Sequence, residues 1–404
     1  MIRISKPQVG GGKIYSHITD EIEGLDLNLY YQVELEYEQY LDTESCDAFL
    51  VAMLTYAFIT KQSIQVDGAV SEKLYYNIQS HAKHVLGLSF PNTDVSITAK
   101  ELVVTRHNGK GVATGCSLGV DSLSTIYSHL YEDCPPSYRL THLTYFNVGA
   151  MGHHDLEMAH QSYLNSLATV RQFAKEMGLP VITIESNISA IYGDREYSTW
   201  VISANIGAVL ILQKLLGKYY FSSTYPLETM MPNNGDDEEH YGTLLVHSLS
   251  TESTELSVSD VEKGRFDKTR VVANNELSKR YLYVCWKDII LNTKSVKAIE
   301  DVKDKFLNCT RCDKCLRTCL ALDILGKGEE FTTIFDWNYY KKTRTTYIAK
   351  VLAGRKENYF YGDLYDAMMQ NNYHIPFKAK AASLVLRQKR LVPVVRYLYK
   401  LKRR

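Results

Sequence analysis

The sequence lacks several features that would place the chain in a specialised class of protein. No run of 18 apolar residues occurs in its 404 residues, so we expect no membrane-spanning helix. Its first residues, MIRISKPQVGGGK, contain no apolar stretch of the kind that a signal peptide needs. We therefore expect a cytoplasmic protein whose thiols stay reduced. Internal repeats are absent, and 45% hydrophobic with 23% charged residues excludes disorder and fibrous repeats.

Net charge is also absent, but the charges are unevenly distributed. The 46 basic and 46 acidic residues give a formal charge of zero. Residues 336–404 hold 16 of the basic and only 4 of the acidic residues, so this tail carries +12 and the preceding 335 residues carry −12. A basic tail on an acidic body predicts contact with RNA, with a membrane surface, or with the chain's own acidic surface.

The order of predicted elements indicates an α/β fold. Strands are predicted over residues 140–148, 181–185 and 219–222, and helices over 155–177 and 200–216. Short strands that alternate with helices at this spacing predict a parallel sheet with crossover helices.

The chain divides into three predicted regions. Residues 1–110 form an N-terminal α+β region of unknown role, with a helix from Asp47 that is apolar on nearly every side and therefore buried. Residues 111–335 form the α/β domain, which follows a turn signal at Asn108–Gly111. Residues 336–404 are predicted to be short helices with a basic end.

The segment Ala113–Ser122 (ATGCSLGVDS) is the most informative part of the sequence. It predicts a strand, a loop of small residues and then an amphipathic helix from Leu123 onward. Such a turn places unpaired main-chain N–H groups and the positive end of a helix dipole at one point, where a phosphate is stabilised. Gly119 allows close approach of the main chain, and Asp121 either caps the helix or helps to hold magnesium. The alternative is an ordinary helix cap with a turn glycine.

Within this segment, Ser117-Leu118-Gly119-Val120-Asp121-Ser122 resembles the S-G-G-x-D-S signature of the PP-loop ATP pyrophosphatase superfamily. Leu118 stands where the family usually has glycine. The resemblance covers roughly residues 110–325. It implies a Rossmann-like (adenine nucleotide alpha hydrolase-like) parallel sheet, ATP bound with magnesium through these six residues, and adenine bound by Asn147 and Val148.

Four of the eight cysteines lie close together, at Cys309, Cys312, Cys315 and Cys319. The C-x2-C-x2-C spacing lets neighbouring thiolates bind one ion, and either Cys319 or the distant Cys285 supplies the fourth ligand. A zinc site and an iron–sulfur cluster both fit this run. The residues alone therefore predict a metal centre and leave its fourth ligand and its metal open.

A PP-loop domain followed by C-x2-C-x2-C, with another cysteine upstream, is similar to the 7-cyano-7-deazaguanine synthase family, which has a four-cysteine zinc site. This resemblance implies Cys285, Cys309, Cys312 and Cys315 as ligands, and it favours zinc over an iron–sulfur cluster. The zinc would be structural. Apparent binding free energies of such sites are roughly 10–16 kcal/mol, so the loss of one ligand could unfold that region.

Charged residues farther along the chain are the remaining candidates for catalytic roles. Glu252 follows a predicted strand over Thr243–His247, and loops after parallel strands gather around a ligand, so Glu252 is a candidate for holding magnesium or orienting a substrate. Lys268, or its neighbours Arg265 and Arg270, is a candidate for neutralising the leaving pyrophosphate. A solvated loop and a solvated helix face are the alternatives.

These expectations together predict an ATP-dependent adenylating enzyme in which Asp121, Lys268 and Glu252 are catalytic. ATP would be split to AMP and pyrophosphate to activate a carboxylate or amide oxygen of a small molecule or peptide for attack by nitrogen or sulfur. Two alternatives stay open: a nucleotide-binding module without turnover, and a tRNA-modifying enzyme anchored through residues 378–404. The acidic segment Asn233–Gly242 predicts a mobile loop, for which a lid over the site is one role. The acceptor and the oligomeric state are not predicted.

Overall fold

The computed structural model describes residues 1–130, 133–151, 155–233, 235–285 and 305–387. The chain forms two compact units. One consists of Met1–Ser117 with Asp121–Glu262, and the other of Leu118–Val120 with the residues from Lys263 onward. Within the described ranges, no helix is both long enough and apolar enough to cross a bilayer.

A single sheet runs through the first unit, with eleven strands among the described residues. In chain order the strands are β1 (Ile2–Ile4), β2 (Gln8–Gly10), β3 (Lys13–Asp20), β4 (Leu25–Gln32), β5 (Ile64–Ser71), β6 (Ile97–Val103), β7 (Gly111–Gly115), β8 (His142–Asn147), β9 (Val181–Ser186), β10 (Leu216–Ser222) and β11 (Glu255–Ser259). Their order across the sheet is β11-β10-β7-β8-β9-β4-β3-β1-β5-β6, and β2 pairs with β3.

Helices cover this sheet. They are α1 (Asp47–Thr60), α2 (Glu72–Asn77), α3 (Lys83–Ser89), α4 (Val120–Ser128), α5 (Leu156–Met177), α6 (Ser189–Tyr192), α7 (Val201–Leu210) and α8 (Gly242–Ser248), with a π-helical turn Ile78–Ala82 between α2 and α3. Helices α1 and α7 pack against each other inside the core, which is why both are apolar on nearly every side. The predicted burial of the helix from Asp47 is confirmed.

The half of the sheet that carries the predicted phosphate loop is parallel. Strands β7 to β11 pair in parallel in the order β11-β10-β7-β8-β9. The chain winds outward from β7 through β8 and β9, and then returns to place β10 on the other side of β7. In doubly wound sheets, ligands bind at the carboxyl ends of the strands where the winding direction changes. That point lies between β7 and β10.

The N-terminal strands join this parallel half without a break. Strand β4 pairs antiparallel with β9 at Tyr31 and Gln32. The Asn187 side chain extends the junction, because it accepts the Tyr30 N–H and donates to the Asn28 carbonyl oxygen, both at 2.9 Å. One sheet therefore spans the predicted N-terminal region and the predicted α/β domain.

One prediction of local structure is wrong, and a second segment contains a short helix. Residues Thr243–His247, predicted as a strand, lie in helix α8. That prediction was wrong because a short apolar run has no periodicity that separates a buried strand from a buried helix. The acidic segment Asn233–Gly242, predicted as a mobile loop, contains a 3-10 helix at Glu238–His240 in which Glu238 is completely buried.

The second unit is helical in its described part. Its helices are α9 (Arg265–Ala273), α10 (Ser278–Tyr281), α11 (Asp313–Ile324), α12 (Trp337–Gly354), α13 (Tyr359–Gln370) and α14 (Phe377–Arg387), with a 3-10 helix Gly328–Phe331. Tyrosines link them: Asp313 accepts the Tyr361 hydroxyl at 2.6 Å, and Asp323 accepts the Tyr340 hydroxyl at 3.0 Å. Residues 388–404 of the basic tail lie outside the described residues, so RNA binding through this tail stays a prediction.

Candidate metal centre and phosphate loop

The predicted phosphate loop leaves the carboxyl end of β7 and leads into α4. Leu118, in this loop, has a φ of 59°. This left-handed conformation costs an L-residue roughly 1–2 kcal/mol, whereas glycine adopts it freely. Leu118 therefore keeps the backbone of a glycine while its side chain is buried, at 2% exposure.

Hydroxyl groups meet across the two ends of the loop. The Oγ atoms of Ser117 and Ser122 lie 3.0 Å apart. The N–H of Cys116 donates to the carbonyl oxygen of Thr144 in β8 at 2.8 Å, so the start of the loop is anchored to the neighbouring strand. Asp121 lies in the first turn of α4.

Asp260 fixes α4 to the last strand of the parallel half. It directly follows β11 and accepts the hydroxyls of Ser124 at 2.5 Å and Ser128 at 2.9 Å. Asp260 is also left-handed, with a φ of 58°. Sequence reasoning missed this residue, although an acidic residue directly after a strand was a usable signal.

Asn147 ends β8 and Val148 follows it, but the structure gives the two residues different surroundings. Val148 is fully buried, whereas Asn147 donates from Nδ2 to Oε2 of Glu185 at 3.2 Å. The same oxygen lies 2.6 Å from Nδ1 of His160 on α5. A half-exposed carboxylate and imidazole in contact can hold or transfer a proton. Sequence reasoning missed this pair because its members are far apart in the chain.

The structure does not bring Glu252 to the phosphate loop. Glu252 precedes β11, so it lies at the amino edge of the parallel strands, whereas the loop leaves the carboxyl edge. A five-residue strand separates these edges by roughly 16 Å. The expectation that Glu252 lies beside the loop depended on the strand over Thr243–His247, which is a helix. Glu252 instead accepts the main-chain N–H of Lys73 at 2.8 Å.

A cavity of about 580 Å³ lies beside Glu252. Its lining includes Lys73, Tyr76, Leu102 and Arg106. The cavity therefore belongs to the amino edge of β11 and to the N-terminal part of the sheet.

Lys268 has no exposed surface on α9. A buried ammonium group is costly unless it is paired and hydrogen-bonded. Because it is buried, Lys268 can pair only with charges that are buried beside it. Direct contact with pyrophosphate from solvent requires a change of conformation.

Four cysteines converge in the second unit. The sulfur atoms of Cys285, Cys309, Cys312 and Cys315 all lie within 4.8 Å of one another. Sγ of Cys315 is 3.3 Å from that of Cys312 and 3.8 Å from that of Cys309. Four sulfurs placed tetrahedrally at about 2.3 Å from one ion are about 3.8 Å apart, so this group could bind a metal such as zinc. Cys319, the other candidate, is fully buried on α11 and lies outside the group.

Main-chain donors surround the sulfur of Cys309. The N–H groups of Arg311 and Cys312 both donate to it at 3.3 Å, and Cys309 donates its own N–H to the sulfur of Cys285 at 3.3 Å. Hydrogen bonds from the neighbouring thiols, that of Cys285 first, hold the pKa of Cys309 well below its usual range and lower the pKa of Cys312 to about 7. Hydrogen bonding with Cys309 raises the pKa of Cys285, and burial raises the pKa of Cys315, so the four thiols titrate as one coupled group.

A second group of metal-binding side chains is formed by Asp42, Glu44 and His107, whose donor atoms lie within 4.8 Å of one another. The carboxylate of Asp42 already accepts the Glu44 N–H, the Ser45 hydroxyl and the Gln213 side-chain amide. Nε2 of His107 lies 3.5 Å from the same carboxylate, and an acidic group of this kind is common without an ion.

The fold and these groups define a mixed α/β protein with a large, mostly parallel sheet and a candidate four-cysteine metal site. Comparison with models of protein families, with curated proteins and with solved structures finds no match.

Proposed function

We propose that the chain is an ATP-dependent adenylating enzyme of the PP-loop ATP pyrophosphatase superfamily, with a Rossmann-like (adenine nucleotide alpha hydrolase-like) domain. The observation that carries this proposal is the left-handed Leu118 at the glycine position of the signature, in the loop where the winding direction of the sheet changes. The loop leads into the amino end of α4, where the helix dipole stabilises a phosphate. The hydroxyls of Ser117 and Ser122 add donors.

The proposed reaction has two steps. A carboxylate or amide oxygen of the acceptor attacks the α-phosphorus of ATP, and the bond to the bridging oxygen breaks so that pyrophosphate leaves. A nitrogen or sulfur nucleophile then attacks the activated carbon, and AMP leaves with the acceptor's oxygen. Asp121 would hold magnesium on the phosphates, and the His160–Glu185 pair would accept the proton of the nucleophile. Positioning and charge stabilisation would supply most of the rate enhancement.

We assign zinc to the four-cysteine group. Four sulfurs within 4.8 Å of one another suit a single tetrahedral ion, whereas the cysteines of a four-iron cluster each bind a different iron. A closed four-cysteine site has no open coordination position, so the zinc would be structural.

The test is to incubate the full chain with ATP, magnesium and a panel of carboxylic acids and amides, and to measure AMP and pyrophosphate. We expect both products in equal amounts with the correct acceptor. Asp121→Asn should slow their release, and Asp26→Asn, at an exposed position in β4, is the matched control. Release of ADP and phosphate would contradict the proposal.

The second candidate is a nucleotide-binding module without turnover. The positions of two predicted catalytic residues favour it, because Glu252 lies at the opposite edge of the sheet and Lys268 is fully buried. Calorimetric binding of ATP, with no AMP formed from any acceptor, would select this candidate.

A further inference from the structure

The predicted phosphate loop and the cysteine group share the second unit through Leu118–Val120. The main-chain N–H of Tyr283 donates a 2.9 Å hydrogen bond to the carbonyl oxygen of Leu118. Tyr283 lies two residues before Cys285, so the segment that delivers one metal ligand also contacts the loop.

Asn308 ties the same segment to the other three cysteines. Its Oδ1 accepts the N–H of Val284 at 2.9 Å, and its Nδ2 donates to the carbonyl oxygen of Leu282 at 2.8 Å. Main-chain groups of successive residues in an extended segment point to opposite sides. Asn308 therefore holds one side of the segment, and Tyr283 presents its N–H to Leu118 on the other. Asn308 is fully buried and precedes Cys309 directly.

We propose that the four-cysteine centre sets the conformation of the phosphate loop, with Asn308 and the main chain of Tyr283 as positioning groups. A metal that joins Cys285 to Cys309 fixes residues 282–284, and the Tyr283 N–H then holds the Leu118 carbonyl in place. A leucine needs this support because it is strained in the left-handed region, whereas a glycine would not need it. This inference rests on the proposed role of the loop in binding ATP, and it makes nucleotide binding depend on metal occupancy.

The first test removes only the donor. Tyr283→Pro deletes the N–H and leaves all four cysteines in place. The preceding residue Leu282 has φ −57° and ψ 112°, close to the extended conformation preferred before proline. Tyr283→Ala keeps the N–H and is the matched control. In the full chain loaded with cobalt(II), whose absorption spectrum reports four-thiolate binding, hydrogen exchange of a peptide covering residues 116–122 should be about fivefold faster in Tyr283→Pro than in Tyr283→Ala, as expected for one lost hydrogen bond.

The second test asks whether glycine makes the support unnecessary. In a Leu118→Gly background, Tyr283→Pro should change the exchange of residues 116–122 much less than it does with leucine present. General damage to the fold would accelerate exchange equally in both backgrounds, so this double-mutant cycle separates positioning from loss of structure.

The outcomes keep the two proposals apart. Equal exchange in Tyr283→Pro and Tyr283→Ala, with cobalt bound in both, overturns the coupling whether or not ATP binds. Calorimetry with ATP and magnesium then addresses the loop's function. If the loop responds to Tyr283→Pro but the native chain binds no ATP, the coupling stands and the proposed function fails. If the native chain binds ATP and Tyr283→Pro weakens binding more than Tyr283→Ala, both proposals are supported.

Discussion

The carboxyl group of Glu238 accepts a 2.6 Å hydrogen bond from the main-chain N–H of Ile202, in the first turn of α7. Ser203 donates its N–H to the same oxygen at 3.3 Å, and Thr55 donates its hydroxyl to the other oxygen. Because Glu238 has no exposed surface, burial raises its pKa to about 8. The acid is therefore mostly protonated in the folded chain at neutral pH and ionised in the unfolded chain.

This carboxyl group should make the chain less stable as the pH rises. Between an unfolded pKa near 4.3 and a folded pKa of about 8, the folded state binds the extra proton, so the free energy of unfolding falls by up to about 1.4 kcal/mol per pH unit. Glu238→Gln removes the titrating group and keeps an acceptor for Ile202. Urea unfolding at about pH 5, 7 and 8.5 gives the free energy of unfolding of both proteins. As the pH rises, that of the glutamine variant should increase relative to that of the native chain. Parallel pH dependences would contradict the assignment.

The strain at Leu118 predicts an unusual order of stability. Leu118→Ala and Leu118→Gly both lose a buried side chain, but only glycine relieves the left-handed conformation. We expect Leu118→Gly to be more stable than Leu118→Ala by about 1 kcal/mol, as measured by urea unfolding. The control is Leu123, inside α4, where the Leu123→Ala variant should be more stable than the Leu123→Gly variant by a similar amount. The same order at both positions would exclude strain at Leu118.

The four-cysteine centre predicts different outcomes for two buried cysteines. Cys285→Ser should abolish retention of zinc after dialysis and destabilise the second unit, because it removes a ligand. Cys319→Ser should keep one zinc per chain, since Cys319 lies outside the group, although burying a hydroxyl costs some stability. Metal analysis of both purified variants checks this. Retained zinc in Cys285→Ser would refute the ligand set.

Asp260 predicts a graded loss of stability. Asp260→Ala leaves the hydroxyls of Ser124 and Ser128 without their acceptor, which should cost roughly 2–4 kcal/mol. Asp260→Asn keeps an oxygen and tolerates the left-handed conformation, so its effect should be smaller. The measurement is the urea midpoint, and a Ser124→Ala/Asp260→Ala double variant should show non-additive losses. Simple additivity would mean that the contact contributes little.

Local patterns explain which parts of the fold could be predicted. The helix predicted over residues 155–177 has a capping residue at each end. Asp155 accepts the N–H groups of Glu157 and Met158, and Gly178 ends the helix in the left-handed region. The run Thr243–His247 has no such signals and was assigned wrongly. The pairing of β4 with β9 joins distant residues, and neither strand's own pattern identifies its partner.

The candidate site, like the fold, was predictable where it depends on local spacing and not where it depends on contacts between distant residues. The C-x2-C-x2-C spacing identifies three neighbouring ligands, and the family resemblance selects Cys285 as the fourth. The folded chain agrees, because Cys285 lies in the group and α11 carries Cys319 away from the other sulfurs. No sequence pattern indicates the role of Asn308, because its hydrogen-bond partners are main-chain atoms of a distant segment. The burial of Glu238 is not predictable from the acidic segment Asn233–Gly242, because burial of a carboxyl group depends on donors that other segments supply.

The junction between β4 and β9 has a practical consequence for work on fragments. A shortened version that starts at Gly111 would retain every strand of the parallel half but would leave β9 with a bare hydrogen-bonding edge and α7 without its packing partner α1. Such a truncation should precipitate or associate with other copies of itself. The N-terminal residues are therefore a structural part of the same sheet and are not a separable domain.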